Sequence, residues 1–258
     1  MRLRTSIFRR SQRLVRPLPG AARAVHSLLW LHLLDHRDLD DLTLLSYANS
    51  SGSGFASEAH NIADLHAWEE ATFREFLSGQ MRVLVAGAGG GREMIALARM
   101  GHKVTGFDAS DDLAEACRAN LTTAGVTATM INAGPGAVPD GQGRFDALVI
   151  GRGVYHHIPG RTKRITFLHS CAALLVDCAP LIMGDVLTRQ KHKRAELLTR
   201  LIAKESGDSI SDSFYHFFTV EELAEEIAEA GFADVDCRFT PVPGRRRLAH
   251  VVARKLVQ

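Results

Sequence analysis

Two apolar periods alternate along this chain. Val83-Leu84-Val85-Ala86 reads as a short buried strand, and the glycine cluster Gly87 to Gly91 breaks it. Glu93 to Met100 places Met94, Ile95, Leu97 and Ala98 at helical spacing, and Gly101 suits the position after a helix end. Lys103 to Phe107 reads as a second strand ending in Asp108. Ser110 can cap the next helix, whose inner face is Leu113, Ala116, Cys117 and Leu121. Thr127 to Ile131 predicts a third strand and Phe145 to Ile150 a fourth, with a Gly/Pro loop from Gly134 to Gly143 between them. A helix over Arg161 to Leu175 and a strand over Leu181 to Val186 follow. Thr219-Val-Glu-Glu222 is a capping box opening a helix that runs to Gly231. Val235 to Phe239 and Leu248 to Leu256 are the last two strands. Alternating β and α units predict a mostly parallel sheet with helices on both faces.

The first third of the chain has no strand pattern. Leu28 to Leu34 is apolar but too short to span a bilayer. Residues 1 to 34 contain seven arginines and no acid. Such a start is similar to a signal or transit peptide, but no small-residue cleavage site follows. It reads as a basic amphipathic helix, then an apolar helix that packs on the domain or on a second subunit. Ala56 to Leu77 reads as one helix with Ile62, Leu65, Trp68, Phe73 and Phe76 on its apolar stripe, and Ser50 to Gly54 as a flexible break before it. Thr188 to Lys204 reads as a solvated basic helix.

Composition adds limits. The 258 residues, 46% hydrophobic and 23% charged, are those of an ordinary soluble chain able to bury an ample core. A net charge of +2 gives no general case for nucleic-acid binding, and Arg245 to Arg247 is short enough to be a solvated hairpin. Cys117, Cys171, Cys178 and Cys237 are widely spaced, with no C-x-x-C, and read as free thiols in a reducing, cytoplasmic setting with no metal site.

The candidate chemistry lies at the glycine cluster. Glycines admit positive φ and let a ligand approach bare main chain, and a helix start offers N–H groups to an anion. Asp108, 21 residues after Gly87, is placed to take ribose hydroxyls. A dinucleotide fingerprint would need glycine where Arg92 stands, which disfavours a nicotinamide oxidoreductase. The cluster is instead G-x-G-x-G. It resembles the first motif of class I S-adenosylmethionine (SAM)-dependent methyltransferases. Gly106-Phe-Asp-Ala-Ser110 resembles that family's second-strand motif. Phe145 to Pro159, with Gly151-Arg-Gly-Val-Tyr-His-His157, resembles the fourth-strand motif of small-molecule members, and Phe217 to Phe232 the late helix.

The resemblance covers residues 80 to 258 and implies an α/β, Rossmann-like sheet of seven strands, the last antiparallel. It implies a methyltransferase domain over 79–258, with 1–78 as an N-terminal helical extension. The implied activity is methyl transfer from SAM to a small-molecule acceptor. Carried over, Gly87, Ala88, Gly89 and Gly91 approach the methionine and ribose, and Asp108 holds the ribose. Ala109, Asn132 and Ala133 flank the adenine, while Gly151 and Arg152 lie near the sulfonium. Tyr155, His156 and His157 fall where an acceptor would sit. The family usually has acids where this chain has Val85 and Asn132. Asn132 can still bond an adenine amino group; Val85 cannot replace a carboxylate, which keeps open a SAM-binding protein without catalysis. Residues from about Tyr47 to Phe76 are expected to form a lid and acceptor pocket, with the N-terminal helices as an alternative homodimer surface.

Overall fold

The computed structural model describes residues 2–48, 55–63, 65–189, 205–240 and 247–257. The expected Ser50–Gly54 break, all but the start of the basic helix over Thr188–Lys204, and the hairpin loop to Arg246 lie outside the described residues.

Five strands follow the expected order: β1 (Arg82–Ala86), β2 (Lys103–Asp108), β3 (Thr129–Asn132), β4 (Ala147–Ile150) and β5 (Pro180–Thr188). Two short strands, β6 (Asp208–Ile210) and β7 (Phe214–His216), pair with each other as a separate hairpin. The chain returns as β8 (Phe232–Thr240) and β9 (Arg247–Lys255). The main sheet has seven strands in the order β3-β2-β1-β4-β5-β9-β8. β1 to β5 are parallel, and β9 runs antiparallel to both neighbours.

Side-chain alternation in β1 explains the two-sided core. Val83 and Val85 face one helical layer: α5 (Ala67–Phe76), α6 (Arg92–Arg99) and α7 (Asp111–Thr123), through Phe73, Met94, Ile95, Cys117 and Leu121. Leu84 and Ala86 face the other: α8 (Arg161–Ala173) and α9 (Val220–Glu229), through Phe167, Leu168, Leu223 and Ile227. The expected caps form. Ser110 Oγ accepts from the Leu113 N–H at 3.3 Å, and Thr219 and Glu222 make the reciprocal capping box at 3.1 and 2.8 Å.

The N-terminal extension is helical: α1 (Leu3–Val15), α2 (Gly20–Leu33), α3 (His36–Ala48) and α4 (Glu58–Ile62) precede α5. It packs on the domain. Phe8, Leu31, Leu34, Leu39 and Leu42 form a third buried cluster with Ile210 and Phe214 of the β6–β7 hairpin. Each such side chain contributes about 1.5–3 kcal/mol when fully buried, which anchors both hairpin and extension. The expected single helix over Ala56–Leu77 is instead α4 and α5 with a break between them. His66 begins α5, and its N–H donates to Glu69 Oε2 at 2.8 Å. Glu69 is buried and paired, so a local cap outcompetes the continuous stripe.

Candidate active site

A cavity of about 770 Å³ opens at the carboxyl ends of β1, β2, β4 and β5 and is roofed by α3, α4 and the residues around Phe55. Its floor is the turn after β1. Gly89 holds φ +53° with open space where a side chain would begin, which is what a ligand lying on bare backbone needs. Gly90 serves the protein instead: a Cβ there would strike the Phe55 carbonyl and the Asn61 amide. Asn61 Nδ2 donates to Phe55 O at 2.9 Å, and Asn120 Nδ2 to Gly90 O at 2.9 Å. Asn120 Nδ2 also reaches the Ala56 carbonyl at 3.5 Å, so one side chain links the glycine turn to the roof.

Asp108, at the end of β2, lines one end of the cavity. Its Oδ2 accepts from the Gly89 N–H at 2.8 Å and its Oδ1 from the Ser110 N–H at 2.9 Å. Burial raises its pKa, and these backbone donors offset part of that rise. The carboxylate keeps acceptor capacity for a ligand hydroxyl. Ala109, Ala133, Gly134 and Pro135 continue this end.

Other lining residues are aromatic. Tyr47 and Tyr215 both pack on His157, with ring centroids at 5.6 and 4.7 Å, and Phe55 meets Tyr47 at 6.0 Å. Hydrogen bonds fix the ring forms of the two histidines. His157 Nδ1–H donates to the Phe214 carbonyl at 2.6 Å, leaving Nε2 as the acceptor. Burial pushes the His157 pKa down to about 4, so the ring is neutral at neutral pH and a weak base. His156 Nδ1 accepts from the Leu187 N–H at 3.3 Å, so its neutral ring carries the proton on Nε2.

The lining also carries a charged group. Arg152 pairs with Asp185 and contacts His66. Arg92 is buried and donates to Glu69 at 2.7 Å and to Glu93 at 2.7 Å, so it remains charged. Asp185 sits at a bulge in β5, between Met183 and Val186, with φ +43°. That conformation is costly for a non-glycine residue and concentrates at functional sites.

The expected residues divide accordingly. Gly87, Ala88, Gly89, Asp108, Ala109, Ala133, Arg152, His156 and His157 line the cavity. Gly91 lies behind it, against the Cys117 sulfur, and Gly151 is packed directly on the Gly87 carbonyl. Asn132 is turned aside: its amide donates to Asp111 at 2.6 Å and its carbonyl accepts from Arg118. Tyr155 is a correction. It is fully buried, and its hydroxyl donates to Glu226 at 2.7 Å, in an ion network with Arg164 and Glu205, so it cannot reach the cavity. Val85 is wholly buried in the apolar core, where a carboxylate would be unpartnered. Sequence reasoning missed Asp185, Asn61 and the α3 residues Asp40, Thr43 and Leu44. Asp185 had a signal, an acid at a strand's carboxyl end, as at Asp108.

Residues 83–177 match the family model described as a methyltransferase domain. No curated protein matches the whole chain's sequence significantly. Among solved structures, a SAM-dependent methyltransferase from Methanosarcina mazei is 20% identical, with 76% of this chain and 100% of that one covered and a TM-score of 0.64. The 1,6-didemethyltoxoflavin N1-methyltransferase of Burkholderia thailandensis, solved with its acceptor and S-adenosylhomocysteine, is 21% identical over 87% of this chain and 92% of that one, TM-score 0.63. Magnesium protoporphyrin IX methyltransferase from Synechocystis, solved with SAM, is 15% identical over 86% and 98%, TM-score 0.55. The chain carries a methyltransferase domain with the class I, SAM-dependent methyltransferase fold. The methyl donor of that class is SAM.

Proposed function

We propose that this protein transfers the SAM methyl group to a small, ring-bearing acceptor with an O–H or N–H group, held between the β4 and β7 ends and the α3 roof. The observation that carries this reading is one cavity lined by the Asp108 carboxylate, the Gly89 turn and the aromatic group around His157. The donor supplies a methyl already activated on a cationic sulfur, so the protein's task is alignment in a dry site. Asp108 and Ala109 hold the ribose and adenine edge. Gly87 and Gly89 lie along the methionine. Glu93, Arg92, His60 and Asn61 supply the charged and polar contacts that Val85 cannot.

On the acceptor side, Tyr47, Phe55 and Tyr215 flank a flat ring, and His157 Nε2 accepts the hydrogen bond of the attacking group. As the methyl arrives, the acceptor's proton moves to that nitrogen, and the electrons of the broken C–S bond stay on sulfur. Low basicity is tolerable because the proton becomes strongly acidic only as the new bond forms. Titration of His157 near 4 predicts no loss of kcat/KM through the ordinary histidine range around pH 6.5. The acceptors named for two solved neighbours, 1,6-didemethyltoxoflavin and magnesium protoporphyrin IX, are ring systems, which fits this wall.

The test is release of S-adenosylhomocysteine from SAM with a panel of hydroxylated and N–H heteroaromatic compounds, comparing wild type with His157→Ala. Turnover that falls at least about a hundredfold in the variant, with S-adenosylhomocysteine affinity unchanged by calorimetry, supports the reading. Equal turnover by both proteins removes His157 as the base. SAM binding with no acceptor turned over across the panel favours a binding protein.

A further inference from the structure

The α1–α2 hairpin buries one side and leaves the other apolar. In α1, Thr5 and Phe8 are buried, while Leu3 and Leu14 are 76% and 78% exposed, with Ile7 on the same stripe. In α2, Leu31 is buried, while Val25, Leu29 and Leu33 are 58%, 58% and 54% exposed at i, i+4, i+8 spacing. Leu18, in the turn between the helices, is exposed as well. Seven large apolar side chains in one short hairpin are more than scattered surface residues explain.

Charge identifies the partner. Residues 1–34 carry seven arginines and no acid. Arg2 is paired with Asp35, and Arg4 caps the Leu33 carbonyl. Arg9, Arg10, Arg13, Arg16 and Arg23 have no ion pair among the described residues. A two-fold contact with a second copy would set this patch against itself, arginine against arginine, with no acid in the segment to compensate. A surface that accepts both leucines and cations is the interface of an anionic bilayer. The helices have 13 and 14 residues, and no described helix is long and apolar enough to cross a membrane, so the hairpin would lie in the interface plane.

We propose that the α1–α2 hairpin docks this protein on an anionic lipid surface, its leucines seated among the acyl-chain ends of the headgroups and its unpaired arginines on the lipid phosphates.

The test is flotation of the full chain with vesicles of phosphatidylcholine alone and of phosphatidylcholine mixed with phosphatidylglycerol, at low and high salt. The expected result is binding to the mixed vesicles only, released by salt. Arg10→Gln/Arg13→Gln and Leu14→Ser/Leu29→Ser should each weaken it on the order of tenfold or more. These positions are exposed, so S-adenosylhomocysteine binding and the circular dichroism spectrum should not change. Absence of binding to mixed vesicles, equal binding to neutral ones, or variants that bind as wild type would overturn the proposal. A lipid-free dimer in sedimentation that the leucine variant dissolves, with no vesicle binding, would assign the patch to a second copy.

Discussion

At the scale of single residues, Asp108 does two jobs. It lines the cavity, where the proposed reading gives it the ribose, and it holds the Gly89 N–H. Asp108→Ala therefore removes ligand contacts and loosens the turn beneath them. The affinity for S-adenosylhomocysteine should fall at least about tenfold by calorimetry while the fold persists; an unchanged dissociation constant would make the acid purely structural. His157 makes a separate prediction about stability. Its pKa is depressed in the folded state to about 4, against 6.5 for the free side chain. The unfolded chain then binds the extra proton first, so this contribution is complete above about pH 6.5 and is lost as pH falls toward 4. His157→Gln should flatten the acid limb of a denaturation series by at most about 1.4 kcal/mol per pH unit. Asp108 was legible because it stands at a fixed distance from a glycine turn. Tyr155 was misread because sequence adjacency to His156 and His157 says nothing about direction: the 3₁₀ turn over Tyr155–His157 sends the tyrosine into the Glu226 and Arg164 network and leaves both histidines on the cavity side.

Among elements, the joint between roof and glycine turn is the decisive contact. Gly90 is the place where α4 and its preceding residues touch the floor, and nothing larger fits. Gly90→Ala should push Phe55 and Asn61 away, weaken SAM binding several-fold and lower turnover more, with little loss of thermal stability. A large fall in the melting temperature would show that the roof is part of the cooperative core instead. The five parallel strands and their helices were readable because each buried run repeats a simple period between glycines. The β6–β7 hairpin was not. Asp208–Ile210 and Phe214–His216 are three residues each, too short for any period to declare itself. Their strand state comes from packing on Leu31, Leu34 and Leu39, which lie far away in sequence. The same holds for the break between α4 and α5, which depends on Glu69 finding Arg92.

Across the whole molecule, the first and last segments of the chain meet at the site. Trp68 of α5 stacks on His250 of β9 with centroids 4.4 Å apart, and Leu248 of the same strand lines the cavity. Asp40 of α3 pairs with Lys163 of α8 at 2.7 Å. β9 is the last strand in the chain, yet it lies inside the sheet, between β5 and β8. During synthesis, then, β5 keeps an open edge until β9 has been made, and the α5 face that Trp68 presents waits with it. Before β9 joins the sheet, Leu248 and the His250 partner of Trp68 are missing from the site. Until β9 is in place, the unpaired edge of β5 is open to pairing with a neighbouring chain.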